Sequence, residues 1–157
     1  MIPVDNRLFE HLAAENRIMD ELLVLIKLEQ GLLVANNIRD IPAVLDQKSK
    51  LVSELANLAY RRHQTLGESG LQANESGMQS WLSLNADNEV ATSWKKLAEK
   101  VLAARECNRT NGLLINTQLN RNQSSLNILR GPDNAGSFYG PNGQTTRSLP
   151  SRNFVAG

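Results

Sequence analysis

The sequence predicts an all-α protein: a long antiparallel helical hairpin plus a third long helix, forming a three-helix, coiled-coil-like bundle with a flexible C-terminal tail. Three observations predict it. Leu12, Met19, Ile26 and Leu33 recur at intervals of seven, flanked by Leu8, Leu22 and Leu23, and sustained heptad spacing marks a seam against a long partner helix. Aromatics make up 4% of the chain, so the apolar content is mostly Leu, Ala, Ile and Val, which suits helices packed along their length. Residues 131–157 hold five Gly and three Pro, a composition that supports no buried core. The expected division is therefore a helical domain over 1–130 and a Gly/Pro/Asn-rich tail over 131–157.

The first helix is expected from about Asp5 to about Asn36, roughly 48 Å at 1.5 Å per residue. Gly31 lies inside it at a cost of about 1 kcal/mol relative to Ala, which burial of the seam overrides. The run Asn36-Asn37-Ile38-Arg39-Asp40 breaks the pattern. Asp40 offers an N-cap and Pro42 falls in the following first turn, where its missing N–H does little harm. The second helix, expected over 41–66, carries Leu45, Val52, Leu55, Leu58 and Ala59 on one face and stops before Gly67. So short a connection forces an antiparallel hairpin. Residues 67–77 read as a polar loop, and Met78, Trp81, Leu82 and Leu84 as one short helical turn plugging an end of the bundle.

The third helix is expected from about Asp87, with a cap there, to Leu129. Val90, Trp94, Leu97 and Val101 recur at 4-3-4 spacing. Extended by the same rule, the stripe reaches Ala104, then Asn108, Asn111 and Ile115, so it turns polar in its second half. Leu12, Met19, Ile26, Leu33, Leu55, Trp94, Leu97 and Val101 are the expected buried set.

Charge and composition narrow the function classes. The chain has 17 basic and 16 acidic residues, so no overall imbalance recruits nucleic acid or a membrane surface. Locally, residues 105–130 reverse the balance, with four arginines against Glu106 alone, and add six Asn and two Gln. No aromatic platform interleaves with those arginines, so nucleic acid is not expected. Cys107 is the single cysteine, which excludes an internal disulfide and fits a reducing cytosol. Charges at Asp5, Arg7 and Glu10 argue against a leader, and no apolar run is long enough for membrane insertion. A cytoplasmic location is expected.

The reactive-looking residues have bland readings. His11 and His63 stand apart in sequence with no His-x-x-x-His or Cys-x-x-Cys spacing, so no metal site is expected. Cys107 lacks an activating neighbour and reads as a small buried or half-buried thiol. Glu15 and Glu29 interrupt a heptad line, but 14 residues apart on a helix they lie about 21 Å from each other. They read as seam-edge charges rather than a catalytic pair. Arg61-Arg62-His63 reads as a solvated helix face. Gly140-Pro-Asn-Gly143-Gln-Thr-Thr lacks the lysine and the preceding strand of a phosphate loop. Neither catalysis nor a cofactor is expected.

Several stretches together resemble a known family. Leu28-Glu-Gln-Gly-Leu-Leu-Val-Ala-Asn-Asn37, then Ile38 to Leu45 and Lys48-x-x-Leu51, resemble the first hairpin of FlgN, the flagellar export chaperone. Trp94-Lys-Lys-Leu97 resembles the aromatic opening of its last helix. Asn108-Arg-Thr-Asn-Gly-Leu-Leu-Ile115 followed by Leu126 to Leu129 resembles the family's most distinctive motif, and Tyr139-Gly-Pro-Asn-Gly143 its tail signature. The resemblance spans about 8–143 in the right order. It implies a cytoplasmic chaperone that holds the aggregation-prone terminal helices of the hook-associated proteins FlgK and FlgL. It also implies delivery to the flagellar type III export gate, whose subunit FlhA would meet Tyr139.

On the residues alone, Leu113, Leu114 and Ile115 either close the bundle or receive a client, and the resemblance favours the client. A Leu-rich helix with an incomplete apolar face can receive an amphipathic client helix by groove packing. The expected client-binding residues are Asn108, Asn111, Leu113, Leu114, Leu119, Leu126 and Leu129, with asparagines keeping that face soluble when empty. The alternative of a different class is a structural coiled-coil protein that self-assembles through its heptad seam.

Overall fold

The heptad line of the first helix is the spine on which the other helices lie. The computed structural model describes residues 3–130 and the backbone of two short segments, 138–139 and 145–146. Helix α1 (Val4–Val34) buries Leu8, Leu12, Ile18, Met19, Leu22, Ile26 and Leu33. It stops two residues earlier than expected, because Asn36 takes a left-handed conformation with φ 55°. The Asn36 N–H bonds to the Leu33 carbonyl and the Asn37 N–H to the Leu32 carbonyl. This double bond pattern ends a helix by satisfying its last carbonyls.

A single 3₁₀ turn, Ile38–Asp40, leads into α2 (Ile41–Glu68), with Pro42 in the first turn. Asp40 gives α2 no side-chain cap; its carboxylate accepts instead from the Asn37 amide at 3.0 Å. The expected stop before Gly67 is also displaced. Gly67 is helical, and the turn comes at Gly70, with φ +86°. The Leu71 N–H returns to the Leu66 carbonyl at 3.1 Å, and Leu71 packs against the core.

Much of the stretch read as loop is helix. The segment α3 (Glu75–Leu84) is capped by the Asn74 side chain, which accepts from the Gly77 N–H at 3.0 Å. A Cβ at Gly77 would lie 1.8 Å from the Gln72 carbonyl oxygen, so the cap closes only around glycine. Met78 and Trp81 enter the core beside Leu8, Leu12, Leu66 and Val90, and α3 stoppers that end of the bundle as expected.

Helix α4 (Glu89–Arg130) is 42 residues long. Its cap is Asn88 rather than Asp87: the Asn88 side-chain oxygen accepts from the Val90 N–H at 2.9 Å, one of the donors a helix start leaves unmet. Side-chain pairs give the helix directions. Along α1 and α2 they run Arg7–Glu68, Glu15–Arg62 and Glu29–Lys48, which is antiparallel. Along α1 and α4 they run Asn16–Ser93, Asp20–Lys100 and Glu29–Asn111, which is parallel. The bundle is all-α, up-down-up.

The chain divides into two compact units, Met1–Leu114 and Ile115–Gly157. The second contains the end of α4 and a two-stranded antiparallel ladder, β1 (Phe138–Tyr139) with β2 (Thr145–Thr146), pairing Phe138 with Thr146 and Tyr139 with Thr145. Glycine and proline content did not announce that ladder. The rest of the expected tail, and the side chain of Tyr139, lie outside the described residues.

Candidate interaction surfaces

Two buried ionic clusters organise the first unit, and both overturn readings made from sequence. Glu15 and Glu29 are 4% and 3% exposed, so they are core groups rather than seam-edge charges. Arg62, read as part of a solvated face, is 2% exposed. An isolated charge buried so deeply would be prohibitive, and each carboxylate is accordingly met.

Glu15 takes a two-point bond from Arg62, Nε to Oε1 at 2.7 Å and Nη2 to Oε2 at 3.2 Å. Arg62 Nη2 also donates to Glu75 Oε1 at 3.1 Å, and its guanidinium lies 4.8 Å from the centroid of the Trp94 ring. This one side chain therefore touches α1, α3 and α4. Burial alone would lower the Arg62 pKa; the hydrogen bonds and charges of Glu15 and Glu75 outweigh it and raise the value. Desolvation would likewise raise Glu75, but its bonds to Arg62 and His63 hold its carboxyl below the usual range.

The second cluster is centred on Glu29. Lys48 Nζ reaches Glu29 Oε2 at 3.0 Å and Asn108 Oδ1 at 3.0 Å. Asn111 Nδ2 donates to Glu29 Oε1 at 2.8 Å and to the Ile26 carbonyl at 3.0 Å. The α4 stripe turns polar at 108 and 111 because the α1 face opposite presents a carboxylate there. Asn111, 1% exposed, thus serves the bundle and is not open to a client, which corrects its expected role. Asn108 is exposed but also bonded to Lys48. Sequence reasoning missed Glu29 and Lys48 as their partners, although Lys48 stands 19 residues after Glu29 across the hairpin turn, a spacing that an antiparallel pairing could have supplied.

The other expected client residues are placed more openly. Leu114 is half-buried, and Leu113, Leu119, Leu126 and Leu129 are 55%, 60%, 47% and 82% exposed. Ile115 and Ile128 are exposed as well. The end of α4 therefore presents apolar side chains to solvent over about four turns.

The remaining expected core residues, Leu55, Trp94 and Val101, are only half-buried. All three line a cleft between α2 and α4 of about 600 Å³, where the bundle lacks a covering helix. Cys107 is half-buried, its Sγ 3.9 Å from Gln30 Oε1. Among the described residues no group of three His, Cys, Asp or Glu comes together to hold a metal, and no helix is long and apolar enough to cross a membrane.

The family pattern described as FlgN protein matches residues 1–147. The chain is 29% identical to the "Flagella synthesis protein FlgN" of Salmonella typhimurium, over 90% of this chain and 92% of that one. It is 28% identical to the proteins of the same name from Yersinia enterocolitica, over 89% of this chain and 90% of the relative, and from Escherichia coli, over 89% and 91%. No solved structure matches the chain. A match running almost end to end, across both buried clusters and the open end of α4, shows that this chain belongs to the FlgN family.

Proposed function

We propose that the protein is a cytoplasmic, non-catalytic export chaperone of flagellar assembly, which binds amphipathic terminal helices of hook-associated proteins, FlgK and FlgL, on the end of α4. The observation that carries this reading is the set of exposed apolar side chains that share one face there: Ile115, Leu119, Leu126 and Leu129, at 4-7-3 spacing and from 40% to 82% exposed. Contiguous exposed apolar surface marks an interaction site, and a helix laid along it by i, i+3, i+4 anchors is the fitting occupant. The relatives' shared description as flagella synthesis proteins supports the assembly role. Self-assembly through the heptad seam loses its basis, because Leu12, Met19, Ile26 and Leu33 are covered within one chain.

The chemistry required is binding and release. Leu side chains supply the apolar contact. Asn116, Asn120 and Asn122, all exposed, supply donors and acceptors for polar edge positions of a client helix. Delivery is assigned to Tyr139, an aromatic anchor for the export gate subunit FlhA; such anchors dominate small interfaces.

Calorimetric titration with terminal-helix peptides of the organism's own FlgK and FlgL tests the reading. Leu119→Asp with Leu126→Asp is expected to weaken binding by about tenfold or more, with the melting temperature nearly unchanged. Unaltered affinity would remove α4's end from the client site. Tyr139→Ala is expected to preserve peptide affinity while reducing capture of the chaperone–client complex by the FlhA cytoplasmic domain. Equal capture by both proteins would reduce Tyr139 to a loop residue.

A further inference from the structure

The apolar strip at the end of α4 has one interruption, and its place is regular. Ile115, Leu119, Leu126 and Leu129 are exposed at 4-7-3 spacing, and Asn122 divides the gap of seven into three and four. The full row, 115-119-122-126-129, is the 4-3-4-3 alternation of the two seam positions of a coiled coil. It runs for about 21 Å of helix. Asn122 thus stands inside the row that a packed helix would cover, and in the free chain it is exposed. Between Ile115 and Leu129, the positions that flank such a seam carry Asn116, Gln118, Gln123 and Ser125. In paired helices those positions often hold the Glu and Lys that choose a partner and its direction; here they hold no charge.

Asn122 is the one polar side chain within the row, and its chemistry discriminates between occupants. A helix laid along the row displaces the water that meets the Asn122 amide. An apolar side chain set against it would leave the amide's donors and acceptor unmet, at the cost of their desolvation. A side chain at that level that both donates and accepts removes the cost. The four apolar contacts receive any amphipathic helix, so they supply affinity without choice. One polar seam position supplies choice, because it fixes register and penalises an unbroken apolar strip.

We propose that Asn122 selects the client: the occupant is an amphipathic helix of another protein whose apolar strip is itself interrupted by one Asn, Gln, Ser or Thr, set opposite Asn122. This rests on the end of α4 being the client surface, and it adds which helices that surface accepts and in what register. A second copy of this chain would also bring an amide to that level. It would, however, set Arg109, Arg121 and Arg130 beside their own counterparts in a segment, residues 107–130, that contains no Asp or Glu. Such like charge opposes self-pairing.

The probes are two synthetic amphipathic helices of about 15 residues, identical except that the middle position of the leucine strip is Asn in one and Leu in the other. Each is titrated calorimetrically into the full-length protein, into Asn122→Leu and into Leu119→Asp/Leu126→Asp. Asn122 is exposed, so circular dichroism and melting of Asn122→Leu are expected to match wild type. Wild type is expected to bind the Asn peptide about tenfold more tightly than the Leu peptide, and Asn122→Leu is expected to reverse that order. The double aspartate variant is expected to lose both peptides. Equal affinities on wild type, or a preference that Asn122→Leu leaves in place, would overturn the selection by Asn122 while the loss on the aspartate variant still upheld the client surface. Undiminished binding of both peptides to the aspartate variant would overturn the surface itself, and the selection with it. A wild-type dimer in sedimentation that Leu119→Asp/Leu126→Asp disperses would show a second copy as the occupant and overturn the proposal too.

Discussion

Arg62 shows how one side chain can decide the relation of several helices. Its guanidinium binds Glu15 of α1 and Glu75 of α3 and lies over Trp94 of α4. Removing one member of a buried ion pair strands the other, so Arg62→Met is expected to cost about 3–5 kcal/mol. Adding Glu15→Leu is expected to recover most of that loss, because replacing both charges by apolar groups is often neutral; chemical denaturation of the three proteins checks it. A second residue-scale test uses His11, whose ring nitrogen Nε2 lies 3.1 Å from the buried Thr65 hydroxyl. Burial, then the Arg7 charge, lowers the His11 pKa from 6.5. The fold therefore favours the neutral ring: this contribution is complete above pH 6.5 and is lost as pH falls through the lower folded value. His11→Gln is expected to flatten the decline of melting temperature below pH 6.5, and an unchanged slope would exclude His11 as its source. Neither residue's part was legible in sequence, since periodicity places charges on a face without saying what that face meets.

At the scale of the element, the helices were legible where local chemistry and packing agree. The heptad line of α1 and Pro42 in α2's first turn both mark elements that formed. Boundaries slipped where a turn depends on backbone conformation: the positive φ of Asn36 ends α1 two residues early, and Gly70 rather than Gly67 carries the positive φ that follows α2. The polar turn of α4's stripe was visible, but its cause was not. Asn111 looks like a solubilising residue until Glu29 is placed against it. The two parts of the helical scaffold should also separate energetically. Leu22, 6% exposed, is expected to cost about 2–5 kcal/mol on truncation to Ala. Leu126→Ala, at 47% exposure, is expected to cost much less stability and to weaken client binding instead. Equal losses in denaturant melts would place Leu126 in a core and contradict the division.

For the whole molecule, the chain joins a bundle closed by buried ionic clusters to a helix end left open. The clusters at Glu15 and Glu29 hold α2 and α4 to α1 at two levels about 21 Å apart along α1, so α4 is fixed through residue 111 before its exposed leucines begin. On the proposed reading that arrangement separates folding from client binding: the buried residues of α4, Val90, Leu97, Ala104 and Asn111, precede Leu113, and the exposed leucines proposed for the client follow it. Hydrogen–deuterium exchange of the full-length protein, with and without a terminal-helix peptide of its own organism's FlgK, tests this most directly. The account predicts new protection across residues 113–129 and little change in the already protected cores of α1 and α4. Tight peptide binding with no protection at 113–129 would contradict it.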